Sequence, residues 1–83
     1  MKFLRMRPGY GEQLIAEGDV GLADDQERLV EAFREQLAQG MWAAVPVTSE
    51  SGRREAEMVR SFEEIPRTTD RVIFFPRAAG GAR

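Results

Sequence analysis

The residues of this chain whose type and spacing bear most directly on chemistry are Gly80 and Gly81, in the run Phe74-Phe75-Pro76-Arg77-Ala78-Ala79-Gly80-Gly81-Ala82-Arg83. Glycine has no Cβ, so a glycine pair makes a backbone thin enough to enter a narrow enzyme channel. The same composition suits a terminus that simply frays. Just upstream, the guanidinium of Arg77 can dock bidentately on a partner carboxylate, or serve only as a solvated charge after a strand stop. Phe74 and Phe75 are adjacent, so in a strand one ring enters the core and the other faces away. The outward ring is either covered by other elements or forms a sticky patch. Trp42 is either a covered ring or a platform for a partner. Gly80, Gly81, Phe74, Phe75, Arg77 and Trp42 are therefore the candidate functional residues.

Other residue types point away from catalysis. There is no Cys and no His. That removes disulfides, thiol nucleophiles, Cys/His zinc sites and Ser-His-Asp triads. The 14 Asp and Glu remain as acids, bases or hard-metal ligands, but none stands in a recognisable motif. The expectation is a protein that is not an enzyme and carries no cofactor and no metal.

The chain has 83 residues, room for one domain. At 42% hydrophobic and 31% charged residues, its composition is that of a folded globule rather than a disordered chain. The net charge of −2 argues against non-specific nucleic-acid binding. Residues 1–40 carry five bases against eight acids, and residues 41–83 seven against six, too small an asymmetry to name a partner. The opening Met1–Pro8 is too short and interrupted for a signal peptide, and no run approaches the ~20 apolar residues of a membrane helix. A cytoplasmic protein without membrane contact is expected.

The elements that must position these residues follow from periodicity. Lys2 to Arg7 alternates, with Leu4 and Met6 on one face and Phe3, Arg5 and Arg7 on the other, as in a strand with one buried face. Pro8-Gly9 signals a turn. Gln13 to Glu17 offers a second short strand. The main helix is expected over residues 25–39. Asp24 can cap it, with Glu27 at capping-box spacing. Leu29, Val30, Phe33 and Leu37 form its apolar stripe, and Gly40 its stop. Met41 to Val47 is apolar on both faces, which suggests cover on each side or an edge position. Pro46 favours an edge or a strand end. Residues 53–65 stay open between two readings. Propensity favours a helix. The polar turn Thr48–Gly52 between two apolar runs favours a hairpin, which is preferred here. Arg71 to Pro76 reads as the last strand. If it pairs with the first, Lys2, Arg5, Arg7 and Arg71 gather as a basic patch.

The order strand, strand, helix, strand, strand, strand gives an α+β, β-grasp-like domain over residues 1–77. It has a mixed four- to five-stranded sheet, one main helix and a flexible tail at 78–83. From Gly40-Met41-Trp42-Ala43-Ala44-Val45, through Met58-Val59-Arg60-Ser61-Phe62, to Val72-Ile73 and Pro76-Arg77-Ala78-Ala79-Gly80-Gly81, the chain resembles small bacterial and phage ubiquitin-like proteins. Its closing segment is similar to that of sulfur carriers of the molybdopterin-synthase small-subunit type. The resemblance implies a modifier or a sulfur or acyl carrier. An activating enzyme would adenylate the carboxylate of Gly81 and pass the acyl group to a thiol, a lysine or a sulfide. Ala82 and Arg83 depart from the pattern, so a protease would first remove them. Without that removal, the domain is a non-catalytic protein-binding or structural accessory module, of the kind phages and mobile elements carry, with a neighbouring structural protein as partner.

Overall fold

β1 (Lys2–Arg7) alternates its side chains and lays Phe3 inward. The chain reverses through Pro8, Gly9 and Tyr10 into β2 (Gly11–Glu17), the antiparallel neighbour of β1. α1 (Ala23–Ala38) follows. Gly40, at φ +85°, is the residue just past the helix C-cap Gln39. That left-handed conformation is cheap for glycine alone, and it sends the chain straight from helix to strand. β3 (Met41–Thr48) and β4 (Arg54–Val59) form an antiparallel hairpin. A single 3-10 turn at Phe62–Glu64 leads to β5 (Arg71–Pro76). The computed structural model describes residues 1–77. The expected tail at 78–83, including Gly80 and Gly81, lies outside the described residues.

The five strands lie in one mixed sheet in the order β2-β1-β5-β3-β4. The central pair, β1 and β5, is parallel, and the other pairs are antiparallel. With one helix packed on one face, the arrangement is α+β and β-grasp-like. The core lies between α1 and the sheet. Phe3, Phe33 and Phe74 meet there edge-to-face, with ring centroids 5.2 to 6.3 Å apart, and Leu29, Val45 and Val72 fill around them. Edge-to-face pairing suits the ring quadrupoles and adds to the burial of large apolar area.

Several expectations are corrected. The helix begins at Ala23, and its N-cap position is Leu22, with no side-chain cap bond. Asp24 is therefore not the cap. Asp25, inside the first turn, ties down the preceding loop rather than capping the helix: its Oδ2 accepts the Asp19 N–H at 2.8 Å and its Oδ1 pairs with Arg28. Backbone and guanidinium both favour the carboxylate, and they hold the Asp25 pKa below its ordinary value. Val30 is only half-buried and stands outside the core, whereas Gln36, absent from the expected stripe, is buried. β3 is not an edge strand; it sits between β5 and β4. Pro46 is tolerated because β3 pairs with β5 only over Met41–Ala44. The hairpin reading holds over Arg54–Val59, with Val59 turned into the core, while Phe62–Glu64 forms a 3-10 turn rather than a strand.

Candidate functional site

The face of the sheet opposite α1 is built by alternation, broken only where the β1–β2 register shifts between Phe3 and Leu4. Phe3, Ala43, Val45, Val59, Val72 and Phe74 point to the helix, so their strand neighbours point the other way. Register then aligns one apolar residue from each strand. Leu14 faces Leu4, Leu4 faces Ile73, Ile73 faces Ala44, and Ala44 faces Met58. At about 4.8 Å between strands, this row spans roughly 19 Å. Ala44 is only 6% exposed, covered by its larger neighbours, whereas Leu14 is 51% and Met58 41% exposed. Patches of this breadth on small proteins are often functional.

A second row lies beside the first. Trp42 faces Phe75 across β3 and β5, with ring centroids 6.5 Å apart. The Arg77 guanidinium sits 5.9 Å from the centre of the Trp42 ring, within cation–π reach. Trp42 remains 44% exposed. A groove of about 580 Å³ wraps around the end of β3 and β4, bounded by Trp42, Met58, Arg60 and Arg77 on the helix-free side and by Leu37, Met41 and Val59 on the helix side. It falls within the size range of ligand clefts.

Of the sequence-derived candidates, the structure brings Trp42, Phe75 and Arg77 together. Phe74 is corrected: it is wholly buried between sheet and helix, so no partner can touch it. The row Leu14, Leu4, Ile73, Ala44 and Met58 was not expected. Its signal was present in Leu4 and Met6 alternating opposite Phe3, and in the two-faced apolar character of β3. The basic patch divides. β1 and β5 do pair, with Lys2 beside Arg71, but Arg5 and Arg7 point to the helix side. The helix-free face carries Lys2, Arg54, Arg71 and Arg77 against Glu12 and Glu17, a positive balance within a chain of net charge −2. α1 contributes the opposite sign, with Asp24, Glu27, Glu31 and Glu35 all exposed.

Among the described residues, no cluster of acids is placed to hold a metal ion, and no helix is long and apolar enough to cross a membrane. Over the described residues, fold and surface together define a small β-grasp-like domain with an aromatic, base-rimmed sheet face that no helix covers. Comparison with known protein families, with curated proteins and with solved structures finds no match.

Proposed function

We propose that this protein is a non-catalytic binding module that docks a protein partner on the helix-free face of its sheet. The observation that carries this reading is the apolar row crossing all five strands, extended by Trp42 and Phe75. Its partner is a protein surface with apolar anchors and an acidic margin. The apolar anchors fill the row and the Trp42 groove. The acidic margin meets Lys2, Arg54, Arg71 and Arg77, and charge complementarity of this kind sets orientation and on-rate. Large aromatic residues beside an arginine are the usual energetic anchors of interfaces. The test is retention of a host partner on immobilised full-length protein, with Trp42→Ser, Arg77→Glu and the helix variant Glu31→Arg in parallel. The first two abolish retention and the third does not. Equal loss with Glu31→Arg, or retention with both face variants, removes the reading.

A second reading has its own support. β5 ends at Pro76, next to Arg77-Ala78-Ala79-Gly80-Gly81, the order that the ubiquitin-like resemblance requires of a modifier or carrier. In that case the partners are an activating enzyme and a protease, and the sheet face is where the activating enzyme grips. An ATP-dependent adenylation assay on full-length, Gly81-ended and Gly81-substituted forms tests it. The absence of adenylate from the Gly81-ended form removes it.

A further inference from the structure

Arg5 and Arg7 occupy the helix side of β1, away from the docking face, and both are oriented by neutral amide oxygens. Arg5 Nη1 donates to Gln39 Oε1 at 2.7 Å and to Gln36 Oε1 at 3.4 Å. Arg7 Nη1 donates to Gln13 Oε1 at 3.0 Å, and its guanidinium carbon lies 5.7 Å from the Tyr10 ring centre. Among the described residues, the one ion pair is Arg28 with Asp25, so neither Arg5 nor Arg7 has a carboxylate partner. Each guanidinium has five N–H donors, and these bonds engage only its Nη1. The Nε and Nη2 edges, the edges that bind oxyanions bidentately, are left free of partners among the described residues. Residues i and i+2 of a strand project from the same face, their Cα atoms about 7 Å apart, as Arg5 and Arg7 do from β1. A groove of about 370 Å³ opens there, walled by Arg5, Arg7, Gln13, Ile15, Met41 and Pro76.

We infer that Arg5 and Arg7 form a peptide-borne oxyanion site, taking a carboxylate or a phosphate ester whose stem lies against Ile15, Met41 and Pro76. The glutamines fix the two forks without neutralising them, so the site is charged and organised before its ligand arrives. Arg5 also places positive charge at the C-terminal end of α1, whose last turn has no basic residue of its own. That stabilising role alone predicts a change in melting temperature and no anion affinity. The inference is independent of docking on the opposite face.

The test is a titration of full-length protein at constant ionic strength, read at the Arg Nε–H and backbone amide resonances. The probes are inorganic phosphate, a capped Glu-Leu dipeptide and a capped phosphoserine-Leu dipeptide. Saturable shifts at Arg5 and Arg7 are expected, and whichever dipeptide binds tighter identifies the oxyanion. Arg7→Gln, at an exposed position, weakens binding at least about tenfold, the worth of one charge-assisted contact. Gln13→Leu keeps both charges but frees the Arg7 fork, and it weakens binding by a smaller factor. Arg34→Gln, on the exposed helix surface, changes nothing. Linear, non-saturating shifts with every probe, or unchanged affinity in Arg7→Gln, overturn the site.

Discussion

Replacing Phe33 with alanine tests how the fold is held. Phe33 is 2% exposed, and its ring lies 5.6 Å from Phe74, 6.3 Å from Phe3 and 6.3 Å from Phe62, each edge-to-face. Truncation removes the ring's transfer energy, opens a cavity and breaks all three pairs. Buried Phe→Ala changes cost about 3–5 kcal/mol, and each aromatic pair is worth about 0.5–1.5 kcal/mol beyond its area. With three pairs lost, Phe33 belongs at the upper end of that range. A domain this small holds about 4–12 kcal/mol in all, at roughly 0.05–0.15 kcal/mol per residue. The variant is therefore expected to lose much or most of its stability, with a urea midpoint near zero or a steep fall in melting temperature. The assay is urea denaturation followed by circular dichroism, with the wild type in parallel. A loss below about 1 kcal/mol would mean that the ring faces no core, and the helix-on-sheet packing would be wrong.

Three further outcomes follow from the same geometry. Trp42→Ser, on the helix-free face, is expected to cost about 1–2 kcal/mol in the same urea assay, less than Phe33→Ala, since a ring 44% exposed still buries about half its area beside Phe75 and Arg77. Gly40→Ala meets no atom within 4 Å but must adopt φ +85°, so it should lose about 1–2 kcal/mol through backbone strain alone. The Asp25 carboxyl titrates below its ordinary value when folded, so its stabilising contribution is present above the unfolded pKa and is lost as the pH falls through the folded one. Asp25→Asn should accordingly lower the melting temperature at neutral pH, and its difference from wild type should shrink as the pH drops below about 4.

Much of the fold was legible because local patterns and tertiary packing agreed. The stripe residues Leu29 and Phe33 do face the sheet, and Gly40 does end the helix. Residues 53–65 show where local preference yields. Arg54–Val59 is rich in helix formers, yet pairing with β3 makes it a strand, and Phe62 turns back onto the core after the strand ends. The helix start was misread because capping-box spacing does not distinguish a residue outside the helix from one in its first turn. Asp25 bonds Asp19 in a loop whose path no local pattern announces. Trp42, Phe75 and Arg77 were visible as residue types, and their meeting required only that β3 and β5 pair. Which of Phe74 and Phe75 turns inward was not readable, because two adjacent rings satisfy either parity. The five-strand row was hidden for a related reason. It depends on the register of four pairings, and each Leu, Ile, Met or Ala in it is unremarkable in its own segment.

Site-specific photocrosslinking in the native host tests the docking face most directly. A photoreactive residue is placed at Met58 or Leu14 on the uncovered face, and at Glu31 or Arg34 on the helix. Both sheet-face positions should trap the same protein, and Arg77→Glu should abolish that adduct while the helix positions trap little. Adducts confined to the helix positions, or spread equally over both sides and insensitive to Arg77→Glu, would contradict docking on the sheet.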